Sequence, residues 1–162
     1  MSRNPKTIGL ISDTHGLLRP QALRALESAD MIVHAGDVGD PEILEALKTI
    51  APVFAVRGNV DTDQWAQALP ETEVIETDSI MLYVLHDVHA LDLNPATAGF
   101  HVIISGHSHK PTRTEHNGVL FLNPGSAGPR RFDLPVTVAL LHLDQGPWKI
   151  DFVHLLGKRN PH

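Results

Sequence analysis

Residues 7–16 read TIGLISDTHG: an apolar run, Ile8-Gly9-Leu10-Ile11, stops at Ser12, and Asp13 and His15 follow. A run of this length suits a strand buried on both faces. Four further runs share the character: Met31-Ile32-Val33, Val53-Phe54-Ala55-Val56, Ile80 to Leu85 and Val102-Ile103-Ile104. Between the first three lie two helical patterns. Pro20 to Ala29 sets Ala22, Leu23 and Leu26 on one side, and Pro41 to Ile50 does the same with Ile43, Leu44 and Leu47. Each opens with proline, which suits a first helical turn, and Asp40 is placed to cap the second. The first half therefore reads β-α-β-α-β, the pattern of parallel strands joined by crossovers.

After about Glu71 the pattern changes. Arg113–His116, Asn117-Gly118 and Val119–Leu122 read as a two-residue hairpin. A second hairpin is predicted from Thr137–Leu143, the turn Asp144-Gln145-Gly146-Pro147, and Trp148–Leu155. Asn123 to Pro135, NPGSAGPRRFDLP, reads as a loop dense in glycine and proline.

The 162 residues fit one domain, taken as residues 1–162. A formal net charge of −6 argues against a broad nucleic-acid surface. With no cysteine there is no disulfide, thiolate ligand or catalytic thiol. No window has the length and apolarity of a membrane span, and the N-terminal run is too short for a signal-peptide core, so the default reading is cytoplasmic.

The chemistry lies just beyond the strands. Reading past the five runs gives Asp13-x-His15, Asp37, Asn59, His86 and His107-x-His109. With 11 histidines in the chain, one His-x-His pair means little; five strand ends that each present a metal-ligand type mean more. In α/β sheets that edge is where ligands bind. Four imidazoles, two carboxylates and an amide suit Mn, Fe, Zn, Co or Ni better than the all-oxygen preference of Mg or Ca. Seven donors exceed the needs of one ion, so two divalent ions sharing a ligand is the natural count, with Mn the first choice. His34 reads as a hydrogen-bonded core residue with at most a supporting role. His89, His101, His116, His142, His154 and His162 read as surface or structural, and Gly36, Gly58 and Gly106 are open to an ordinary turn role.

In this order, DTHG, HAGD, RGNVD, His86, SGHSHKP and NPGSAGPR resemble the signature of the calcineurin-like metallophosphoesterase superfamily. They are most similar to its small bacterial and archaeal phosphodiesterase branch, which includes the retromer scaffold subunit. The resemblance implies an α/β fold, a four-layer αββα sandwich with two mixed β-sheets. It implies that Asp13, His15, Asp37 and His109 hold one ion and Asp37, Asn59, His86 and His107 the other, with Asp37 bridging. In that reading Asp37, Asn59 and His107 also take part in catalysis, and a turn after Gly106 aims His107 and His109 inward, one at each ion. The implied activity is hydrolysis of a phosphodiester, with hydroxide generated on the ions attacking in line and no covalent intermediate.

There are two departures. Many members carry a proton-donating histidine where this chain has Val60, which favours leaving groups that depart unaided; Asp61 acting through a water is one candidate substitute. Asp87 stands where relatives commonly have glycine, and a carboxylate facing the ions would alter the second ion's affinity. Arg130 and Arg131 read either as forks for the substrate's anionic group or as solvent-exposed loop residues. The implied partner is a small phosphoester; homo-oligomerisation stays open. The alternative is a non-catalytic or weakly catalytic protein-binding scaffold of the same fold, and an amide-cleaving metallohydrolase is a more distant rival.

Overall fold

All five apolar runs form strands in the computed structural model, which describes residues 5–144 and 148–157. They are β1 (Thr7–Ile11), β2 (Met31–His34), β3 (Val53–Ala55), β5 (Met81–Leu85) and β6 (Val102–Ile104). Between β3 and β5 the sequence reading missed β4 (Thr72–Glu76), because TEVIE buries only Ile75 and so lacks an apolar run. The first hairpin is β7 (Pro111–His116) and β8 (Val119–Pro124), longer at its open end than expected. Asn123 and Pro124 thus leave the predicted loop and join the sheet. Asn117 and Gly118 both have positive φ, 52° and 78°, as a type I′ turn demands. The second pair is β9 (Thr137–His142) and β10 (Lys149–His154); in its predicted turn, Gln145, Gly146 and Pro147 lie outside the described residues, as does His162.

The helices α1 (Pro20–Leu26) and α2 (Pro41–Lys48) begin where expected and end two to three residues early. The cause lies in their last turns. Glu27 N bonds Arg24 O and Thr49 N bonds Ala46 O in tighter i→i+3 closures, and the Thr49 hydroxyl also donates to Ala46 O at 2.6 Å. Asp40 caps α2 through the Glu42 amide at 2.9 Å.

One sheet runs β10-β9-β1-β2-β3 and the other β4-β5-β6-β8-β7. Both are mixed: β1, β2 and β3 are parallel, as are β5, β6 and β8, with antiparallel strands outside them. Strand alternation explains why the runs are apolar throughout. Ile8, Leu10, Val33, Leu82, Val84, Val102, Ile104 and Leu122 meet between the sheets. On the other face of the first sheet, Ile11 and Ile32 pack with Ala22 and Leu26 of α1 and Leu44 and Leu47 of α2. The second sheet turns Tyr83, Leu85 and Ile103 toward Phe100, Val88, Leu91 and Leu93. That outer layer is slight, made by the 3₁₀ turn Val88–Ala90, the short helix α3 (Pro95–Ala98) and the chain between them. Each fully buried Leu or Ile contributes about 2 kcal/mol of transfer free energy, so the two sheets form a rigid base for the loops at their parallel strand ends.

Candidate metal centre

The loop after β1 and the loop after β2 continue the strand pairing beyond the sheet. Asp13 N donates to Gly36 O at 3.0 Å, His15 N to Asp37 O at 2.9 Å and Gly16 N to Val38 O at 2.9 Å. To keep these bonds while turning their side chains to one side, Asp13, His15 and Asp37 adopt φ of 55°, 47° and 56°. His107 and His109 do likewise at 73° and 63°. Left-handed backbone in non-glycine residues is uncommon and clusters at functional sites. Here five of the seven predicted ligands have it.

Buried polar residues hold the loops in place. Gly36 N donates to His34 Nδ1 at 3.1 Å, so the ring proton sits on Nε2 and is shared with Thr14 Oγ1 at 3.0 Å. The Thr14 hydroxyl in turn donates to Val38 O at 2.8 Å. Burial lowers His34 to a pKa of about 4, so it serves as a neutral strut. Asp61, 2 % exposed, accepts from Val38 N, Gly39 N and Gly58 N at 3.1, 3.0 and 2.9 Å. That carboxylate is consumed by backbone donors, which removes it as a stand-in for the missing acid: Asp61 ties the loop after β3 to the loop after β2. Asn123 donates to Gly106 O at 2.9 Å and Ser108 Oγ at 3.1 Å, and Ser126 Oγ donates to Asp13 O at 3.0 Å. Sequence reasoning did not single out Ser12, Asn123 or Ser126; their roles arise only from contacts between distant segments.

The glycines before the ligands have a close-approach role. A Cβ on Gly58 would overlap Asp37 N and Oδ1, and one on Gly106 would overlap Ser12 Oγ and crowd Asp13 Oδ2. Neither has a positive φ, so neither is simply a turn glycine.

Five predicted ligands converge. Asp13 Oδ2 accepts from Ser12 Oγ at 2.7 Å and His107 N at 3.1 Å, which leaves Oδ1 facing inward. Around that oxygen stand His109 Nε2 at 3.4 Å, His15 Nε2 at 3.7 Å and His86 Nε2 at 3.9 Å. Asp37 Oδ1 accepts from Val60 N at 3.0 Å, and its Oδ2 lies 3.1 Å from His86 Nε2 and 3.6 Å from His15 Nε2. His86 Nδ1 donates to Ala35 O at 2.8 Å, which orients the ring and points Nε2 at both carboxylates. The other two residues stand at the opening: Asn59 is exposed, and the His107 side chain is 43 % exposed, its ring 5.2 Å from that of His86.

These atoms fit a cation. Asp13 Oδ1, His15 Nε2 and His86 Nε2 are buried with no hydrogen-bond partner, a deficit of roughly 1–3 kcal/mol each in a neutral interior. Asp13, His15 and His109 have donor atoms close enough to share one ion, as do Asp13, Asp37 and His86. Electrostatics points the same way. Burial pushes the Asp37 carboxyl up, but the His86 ring facing it, the hydrogen bond from Val60 and the nearby His15 bring it down to about 2. Burial likewise opposes Asp13, and His15, Ser12, His86 and His109 outweigh it, holding it below the usual carboxylate value. His86 is desolvated, yet Asp37, the Ala35 carbonyl and Asp13 raise it above an ordinary histidine. His109 is lowered by burial, with Arg131 and His15 adding to the effect against the pull of Asp13. Arg131 is therefore near enough to the cluster to act on it.

The ordered series of candidate ligands at five strand ends lies within the part of the chain that one family's model matches. The calcineurin-like phosphoesterase superfamily domain aligns with residues 7–146. The chain belongs to that superfamily. Among curated relatives, a probable metallophosphoesterase of Methanocaldococcus jannaschii is 40% identical over 132 residues, covering 74% of this chain and 67% of the relative. A phosphodiesterase of the same organism is 27% identical over 137 residues, covering 73% and 82%. Among solved structures, wild-type Vps29 of Entamoeba histolytica in complex with Zn²⁺ superposes with a TM-score of 0.63 at 27% identity, covering 93% of this chain and 99% of that one. The α/β fold with two mixed sheets is thus the fold of the family. No described helix is long and apolar enough to cross a membrane.

Proposed function

We propose that the chain is a dinuclear metal-dependent phosphodiesterase. The observation that carries this reading is the buried, unpartnered trio of Asp13 Oδ1, His15 Nε2 and His86 Nε2 between the Asp13 and Asp37 carboxylates. Asp13, His15, Asp37 and His109 would hold one ion, and Asp37, Asn59, His86 and His107 the other. Asp37 Oδ2, 3.6 Å from His15 Nε2 and 3.1 Å from His86 Nε2, faces a histidine of each group, which supports Asp37 as the shared ligand. When bound, such a pair lowers the pKa of water and polarises phosphoryl oxygens, with Mn the first candidate and Fe, Zn, Ni or Co compatible with the donors.

The chain's own residues supply the rest. Asn59 and His107, at the opening, face the arriving phosphoryl group. Arg131, exposed beside His109, offers a guanidinium to its remaining charge. Val60, 49 % exposed at the place of the missing acid, cannot donate a proton. The chain therefore favours diesters with acidic alcohols as leaving groups; a general acid is worth about 10² to 10⁴ in rate.

The test is metal analysis of the purified protein, followed by a screen of aryl phosphodiesters and monoesters with Mn, Fe, Zn, Ni and Co. About two ions per chain and diester turnover support the reading. Metal content without turnover on any phosphoester would favour the scaffold reading, which the likeness to Vps29 keeps in play.

A further inference from the structure

Asp87 follows His86 at the end of β5, and its carboxylate is fixed rather than loose. One oxygen, Oδ1, accepts the His89 amide at 3.0 Å and caps the 3₁₀ turn Val88–Ala90. The other, Oδ2, lies 3.9 Å from His107 Nε2, at the opening of the metal centre. Two clefts meet at this residue. One, of about 470 Å³, is lined by Asn59, His86, Asp87 and Asp92. The other, of about 250 Å³, is lined by Asp87, His107, Ser108 and Thr112. Arg57 also lines the larger cleft, but its guanidinium is taken up by Glu71 at 2.9 Å and Gln67 at 3.0 Å. Asp87 and Asp92 therefore add negative charge that no lysine or free arginine lining the cleft neutralises.

We propose that Asp87 is the residue that sets charge selectivity at the opening, admitting monoanionic diesters and penalising dianionic monoesters. The inference rests on the phosphodiesterase reading and deepens it. A diester has two organic arms, and a cleft lies on each side of the Asp87–His107 pair to receive them. A monoester lacks one arm and carries nearly one more negative charge near neutral pH, since its second pKa is about 6. A fixed carboxylate at the edge of both clefts, 3.9 Å from His107 Nε2, repels that extra charge, and one charge pair in a partly screened cleft changes an equilibrium by about tenfold.

The experiment compares wild type, Asp87→Asn and Asp87→Glu, each loaded with Mn, on an aryl monoester and diester with the same leaving group. Asn keeps an oxygen for the His89 amide and removes the charge; Glu keeps the charge. In Asp87→Asn the monoester-to-diester ratio of kcat/KM rises about tenfold and inorganic phosphate binds more tightly by calorimetry. Asp87→Glu keeps the wild-type ratio. Added salt moves wild type toward the Asn variant by screening the charge. An unchanged ratio and unchanged phosphate affinity in Asp87→Asn would overturn the proposal, as would a shift of equal size in Asp87→Glu. If wild type hydrolyses neither ester, the phosphodiesterase reading fails, and the phosphate titration still decides whether Asp87 excludes dianions.

Discussion

The metal centre has two unlike sides. On one, Asp13, His15, Asp37, His86 and His109 sit on loops laced together by backbone hydrogen bonds, with Asp13 fully buried and Asp37 only 4 % exposed. On the other, Asn59, His107 and Asp87 stand at the mouth of two clefts, and the His107 and Asp87 side chains are 43 % and 35 % exposed. The buried side is built to hold charge in a set geometry, the open side to receive something that comes and goes. Substitutions on the first should change metal content and stability together. Substitutions on the second should leave the fold intact and change substrate preference at Asp87, and at Asn59 and His107 the affinity for one ion as well.

The largest effect is expected at Asp37. Asp37→Ala should lower diester hydrolysis by about 10³-fold or more, and elemental analysis should show bound metal falling in parallel; retention of both would break the distinction drawn above. Next is Asp61→Ala, which strands three backbone donors and should cost about 3 to 4 kcal/mol in chemical denaturation. A loss under 1 kcal/mol would mean that water takes over its role.

His34 gives the pH test. Its folded pKa of about 4 lies below the ordinary value of 6.5, so the unfolded chain takes up a proton first as pH falls. The stability tied to neutral His34 is complete above pH 6.5 and drains away toward pH 4, by about 3 kcal/mol in all. Denaturation of metal-free protein across that window should show this slope, and His34→Gln should remove it. The smallest effect belongs to the open side: Val60→His should speed diesters with poor leaving groups by about tenfold and leave the melting temperature in place. No gain would count against the missing-acid argument.

Much of this was legible in the sequence. Continuous apolar runs such as IGLI and VII had to be two-faced strands, and every one is. The ligand types following them pointed to one rim, and five of the seven meet there directly. What stayed hidden was non-local. Nothing in the letters D, T and H says that φ will be positive at Asp13 and His15; that follows from backbone pairing with the distant loop after β2. Asp61 looked like a free carboxylate because its three partners lie on two different loops. TEVIE escaped notice because an edge strand with one buried side chain has little pattern to show.

The lacing of the loops after β1 and β2 has a bearing on how the protein acquires its ions. Main-chain bonds and the His34 and Asp61 struts hold these loops without drawing on the inward-facing donor atoms, so much of their ordering entropy is spent in folding. A vessel cast in this way would need little further ordering of the chain to take up an ion.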